Sequence, residues 1–106
     1  MNVGEVWEVN FPFEDDETQS KKRPCIIMDV ETLKVLTIKV TTHGARDKYD
    51  IPIFKWKEVN LLEPSYARVS KVAFIAKTDL VKKYGELDIV DFRNVSKAFQ
   101  DFILNN

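Results

Sequence analysis

Apolar and polar positions alternate along most of the first half of the chain. Around Gly4 to Phe11, the odd-numbered face carries Val3, Trp7, Val9 and Phe11, interrupted by Glu5, with Glu8 and Asn10 opposite. A period of two marks a strand with one buried face. Residues 14–22 are too charged for a core and read as a surface loop. Pro24 to Val30 is almost continuously apolar, the pattern of a strand covered on both faces. Lys34 to Thr41 alternates again: Leu36, Ile38 and Val40 point one way, Thr37, Lys39 and Thr41 the other. Residues 43–47 read as a loop. Tyr49, Ile51 and Ile53 then alternate with Asp50 and Pro52, and the proline places this strand at a sheet edge. From Ser65 to Lys71, Ala67 and Val69 suit an inner face, which sets Tyr66, Arg68 and Ser70 together on the outer one.

The spacing changes near the C-terminus. Thr78 reads as an N-cap with Asp79 in the first turn, Leu80, Val81 and Tyr84 as a short apolar helix face, and Gly85 as its stop. Asp88 then caps a longer helix, in which Ile89, Phe92, Val95, Phe99, Phe102 and Ile103 recur every three or four residues. Strands followed by helices predict an α+β, mainly β fold: a small barrel with C-terminal helices. At 106 residues the chain is read as a single domain, 1–106.

Composition narrows the function classes. Charged residues make up 31% and hydrophobic ones 44%, which excludes a disordered or coiled-coil chain. No apolar run is long enough to span a bilayer and no signal-peptide pattern opens the chain, so a cytoplasmic, membrane-free protein is expected. One cysteine cannot form an internal disulfide, and one cysteine with one histidine does not make a zinc cage. No cofactor or metal is expected. The formal net charge of −1 excludes a polycation, but its parts are segregated. Acidic residues gather at 14–17, whereas Lys21, Lys22, Arg23, Lys39, Arg46, Arg68 and Lys71 fall at strand ends or on polar strand faces. If those faces converge, they form a phosphate-binding patch.

Phosphate-cradling glycine loops and nucleophile elbows are absent. Cys25, inside an apolar run, reads as a small buried hydrophobe. His43 reads as an exposed loop residue, and its alternative role is proton transfer near neutral pH. Trp7 is expected in the core.

Gly4-Glu5-Val6-Trp7, followed by Arg23-Pro24 ahead of an apolar strand, resembles the PemK/MazF (Kid-like) toxins of type II toxin–antitoxin pairs. Val40-Thr41-Thr42, Ser65-Tyr66-Ala67-Arg68 and Tyr84-Gly85-Glu86-Leu87 continue the resemblance in order, over roughly residues 4 to 103. It implies a small SH3-like β-barrel, a homodimer, and metal-independent endoribonuclease cleavage of single-stranded RNA through a 2′,3′-cyclic phosphate. A cognate antitoxin would block the site.

The resemblance implies catalytic roles for Arg23, Thr41 and Arg68. A planar guanidinium suits the phosphate oxygens, and a hydroxyl can donate to the developing charge. His43 is the candidate for proton transfer. Gln19, Lys22, Lys39, Thr42, Ser65, Ser70 and Lys71 are the candidate RNA contacts. Arg68 has a structural alternative, pairing with an acidic neighbour across the sheet. Two departures support another function, a catalytically inactive SH3-like binding module for a protein or nucleic acid. Acidic residues stand at 14–17 where relatives often carry glycine, and Ser70 stands where some carry an acid.

Overall fold

The computed structural model describes residues 1–12 and 20–105. The acidic run at 14–17 and Gln19 lie outside the described residues. The elements are β1 (Glu5–Pro12), β2 (Ser20–Val30), β3 (Lys34–Thr41), β4 (Asp50–Ile53), β5 (Ser65–Ala76), a 3-10 turn (Lys77–Asp79), β6 (Leu80–Glu86) and α1 (Ile89–Leu104). The strands form one antiparallel sheet in the order β4-β5-β3-β2-β1-β6. The strand carrying Pro52 is at the edge, where a missing N–H breaks no ladder.

Three expectations are corrected. The polar stretch read as a loop to Lys22 gives way to β2 at Ser20. The strand from Ser65 runs on to Ala76. The helix expected at Thr78–Gly85 is instead the turn and β6, so only one C-terminal helix is present among the described residues. The cause is tertiary: β6 pairs with β1 from Glu5↔Glu86 to Val9↔Leu80, and the Tyr84 hydroxyl donates to Glu8 Oε1 at 2.9 Å. Leu80, Val81 and Tyr84 carry no helical period strong enough to resist that pairing.

The barrel is an open sheet whose seam is plugged. Among the described residues β4 and β6 are its edges, and the turns at 54–60 fill the gap between them. Asn60 takes a left-handed φ of 61°, and its side-chain amide donates to the Tyr84 carbonyl at 2.6 Å. Asparagine tolerates that conformation better than most residues. The backbone of Val59 also packs on Gly85: a Cβ there would stand 3.4 Å from Val59 Cα. The Asp91 carboxylate, in the first turn of α1 and 1% exposed, accepts the amides of Phe54 (3.1 Å) and Lys55 (2.9 Å).

Both faces of the sheet are covered. Val6, Ile26, Ile38, Val40, Ala67 and Val69 meet Val59, Leu61, Leu87 and Val95 in the larger core. Phe92, Phe99 and Phe102 of α1 pack on it, whereas Ile89 and Ile103, read as part of the same stripe, face solvent. Asp88 is the N-cap, accepting the Val90 amide at 3.0 Å. On the other face Val9, Cys25, Ile27, Val35 and Ile75 form a second core with Trp7, Val30 and Leu80. This explains the unbroken apolar run of β2: Ile26 serves one core, Cys25 and Ile27 the other.

A bulge in β5 matters for the site. Ile38 pairs with Val72 but Lys39 pairs with Arg68, so residues 69–71 stand unopposed. An odd insertion reverses the alternation. Tyr66 and Arg68 therefore lie on the face of Thr41 and Lys39, and Ser70 falls in the bulge rather than continuing their row.

Candidate active site

Three adjacent strands bring their polar residues to one end of one sheet face. The β2–β3 register passes through Ile27↔Thr37 and Cys25↔Lys39, so its next step on that face brings together Arg23 and Thr41. Beside them, Lys39 pairs with Arg68 and Thr41 with Tyr66. Asp50 of the edge strand pairs with Arg68 from the other side.

The basic residues do converge here. Burial, and then the charges of Arg23, Arg68, Lys71 and Arg46, push the Lys39 ammonium below its ordinary pKa. Lys39 is half-buried, so these like charges act on it with less water between them. The cluster is a local positive field on a chain whose total charge is near neutral.

Arg68 is not free. Its side chain is 10% exposed, and its fork is closed on Asp50: Nε donates to Oδ1 at 3.0 Å and Nη2 to Oδ2 at 3.1 Å. Nη2 also donates to the His43 carbonyl at 2.5 Å. The hydrogen bonds to Asp50 raise the arginine's pKa against the effect of burial. For Asp50, burial favours the neutral acid, but the Arg68 fork, the Arg46 amide and the two arginine charges outweigh it and hold the carboxyl below its ordinary value.

The loop after β3 hangs on this pair. The Arg46 amide donates to Asp50 Oδ2 at 2.7 Å, and the Asp50 amide donates to the Asp47 carbonyl at 3.1 Å. Asp47 Oδ1 accepts the Tyr49 amide at 2.9 Å. At the other end, the His43 amide donates to Thr41 Oγ1 at 3.1 Å. The Thr41 hydroxyl thus accepts from the loop and keeps its own hydrogen for another acceptor. Gly44 lies on the ring of Tyr66: a Cβ at 44 would meet that ring at 2.4 Å.

The other expected site residues divide. Arg23 is half-buried, Lys71, Thr42 and His43 are exposed, and Lys22 faces the opposite side of β2 from Arg23. Ser65 turns away: it is 4% exposed and its hydroxyl donates to the Glu63 carbonyl at 2.8 Å. The Ser70 hydroxyl is buried and makes no hydrogen bond. Cys25 lies beneath the site in the second core, and burial pushes its thiol up to about 12. Trp7 is half-buried, with its indole N–H donating to Glu5 Oε1 at 2.8 Å, and Trp56 packs against the larger core. Asp50 is the residue of this candidate site that pattern reading passed over. Its signal was present only as the alternative of an acidic neighbour for Arg68.

The family described as "PemK-like, MazF-like toxin of type II toxin-antitoxin system" matches residues 2–103. The chain belongs to this family. No curated protein matches it. Its fold is shared with a mycobacterial endoribonuclease solved in complex with its cognate antitoxin, at a TM-score of 0.78 and 12% identity over 100% of this chain and 97% of that one. A second mycobacterial endoribonuclease matches with a TM-score of 0.73 and 14% identity, over 97% of this chain and 93% of that one. The Mycobacterium tuberculosis toxin MazF-mt6 matches with a TM-score of 0.68 and 20% identity, over 91% and 95% of the respective chains.

Proposed function

We propose that this chain is the toxin of a toxin–antitoxin pair and cleaves single-stranded RNA without a metal, through a 2′,3′-cyclic phosphate. The observation that carries the reading is the gathering of Arg23, Lys39, Arg46 and Lys71 around the Thr41 hydroxyl end of β3. In this mechanism the RNA 2′-hydroxyl loses its proton to a base and its oxygen attacks the adjacent phosphorus. The bond to the 5′-oxygen breaks, and that oxygen takes a proton from an acid. Arg23 grips the phosphate oxygens, because a guanidinium offers paired donors in one plane. Thr41 donates its hydroxyl hydrogen to the developing charge. His43, whose ring can both accept and donate a proton, is the proton-transfer group. Metal independence fits the local chemistry: the Asp50 carboxylate is committed to Arg68 and a backbone amide, and the surrounding field repels cations.

Purified protein incubated with a single-stranded RNA pool in chelator should yield fragments ending in 2′,3′-cyclic phosphate or 3′-phosphate. Arg23→Ala should lower the rate by at least a hundredfold. RNA retention with no product at stoichiometric protein would instead support the binding-module reading. A homodimer, a cognate antitoxin and a cytoplasmic setting belong to the same proposal. Phe54, Ile89 and Val90, exposed around the turn held by Asp91, offer apolar surface for a protein contact. A monomeric mass by light scattering at micromolar concentration would contradict the dimer.

A further inference from the structure

Arg68 carries a role by family resemblance that its geometry does not fit. A phosphate clamp needs an open fork, yet this side chain is 10% exposed. Its Nε hydrogen and both Nη2 hydrogens are used, on Asp50 Oδ1, Asp50 Oδ2 and the His43 carbonyl. Asp50 in turn accepts the Arg46 amide and donates its own amide to Asp47. The pair therefore holds the 42–49 loop near its start, at His43, and near its end, at Arg46 and Asp47. That loop carries His43 and Arg46, and its first amide bond closes on Thr41.

We propose that Arg68 and Asp50 form a positioning pair: together they fix the 42–49 loop so that Thr41, His43 and Arg46 stand at the cationic end of the sheet, and Arg68 does not itself hold the RNA phosphate. The proposal deepens the endoribonuclease reading and rests on it for the catalytic consequence. A loop of this kind, left to itself, samples many conformations, and ordering it in advance removes that entropy from the catalytic step. The arrangement needs a planar fork with donors on both edges, which lysine lacks.

The test uses the protein in five forms: wild type, Asp50→Asn, Arg68→Lys, the double variant and, for binding, Arg68→Gln. On single-stranded RNA, Asp50→Asn and Arg68→Lys should each lower kcat at least tenfold with KM within twofold. The double variant should fall within twofold of the worse single one, because both break the same brace. Hydrogen exchange in peptides covering 42–49 should quicken at least tenfold in both single variants while the β1–β2 peptides keep their protection. Binding to a non-cleavable single-stranded DNA of mixed sequence should show the same salt slope in wild type and Arg68→Gln. A direct phosphate contact would lower that slope by about 0.7. Full kcat in Asp50→Asn, an Arg68→Lys enzyme that retains activity, unchanged loop exchange, or the reduced slope would each overturn the proposal. If the wild type cleaves no RNA, the endoribonuclease reading fails, while the exchange and salt-slope measurements still decide the brace.

Discussion

Arg23 and Cys25 sit two residues apart on the same strand face, one reaching the cationic end and the other sealed in a core. Their difference is one of depth along β2, and it produces opposite chemistry. The Cys25 thiol, raised to about 12, should resist a thiol-specific reagent at pH 8 until denaturant unfolds the chain. A raised acid binds its proton more tightly in the fold, so its contribution to stability is complete below the unfolded value of 9.0 and is lost as pH rises towards 12. Denaturant midpoints should fall across that alkaline window in wild type and fall less in Cys25→Ala. Asp50 has the reverse sign. Its carboxyl is held below its ordinary value, so its contribution is present above that ordinary value and is lost as pH falls through the lower folded one. Asp50→Asn should flatten the acid limb of a stability profile, and an unchanged acid limb would contradict the assignment. At this scale the shared face of Lys39 and Thr41 was legible, because β3 alternates without a break, whereas the apolar run of β2 does not say which way Arg23 points. The partner of Arg68 was not. Cross-strand neighbours depend on register, and register here turns on a bulge that leaves residues 69–71 unopposed, a feature the alternating pattern of Ser65 to Lys71 does not announce.

Elements were legible in proportion to how locally their patterns decide them. The long stripe from Phe92 to Phe102 and the Asp88 cap specify α1 without outside help. The segment that became β6 had apolar residues compatible with either period, and its fate was settled by pairing to β1 some seventy residues earlier. Two charged contacts reinforce that pairing: Lys83 Nζ lies 3.2 Å from Glu5 Oε2, and Tyr84 reaches Glu8. Glu5, the charge that broke the apolar face of β1, is 3% exposed. Burial opposes its ionisation, but the Trp7 indole, the Asn2 backbone and Lys83 hold its pKa below the ordinary value. At the seam, one carboxylate holds two backbone amides, beside the Asn60–Tyr84 hydrogen bond and the packing of Val59 on Gly85. Asp91→Ala leaves the Phe54 and Lys55 amides without an acceptor and should destabilise the fold by about 2 kcal/mol, read as a shift in denaturant midpoint. A shift below about 0.5 kcal/mol would mean the 54–60 turns are held by their apolar contacts and the Asn60–Tyr84 hydrogen bond without Asp91.

For the whole molecule, one sheet shared by two cores predicts a single cooperative transition. Ile26, fully buried at the centre of the larger core, should cost about 2–5 kcal/mol when cut to alanine, with probes of either face melting together. The opposed charge regions predict that RNA affinity falls with added salt, as a local cationic patch requires, despite the net charge of −1. The order of the strands sets a limit of a different kind, one of time. Arg23, Thr41 and Arg68 meet only after β2, β3 and β5 have paired, and the sheet is completed by β6 closing on β1 at the far end of the chain. Such distant pairings form slowly, on the order of milliseconds to seconds, compared with the sub-millisecond growth of helices. A chain still being synthesised therefore carries the candidate site residues long before it carries their arrangement. On dilution from denaturant, nuclease activity should return with the last structural phase and none should accompany the early collapse.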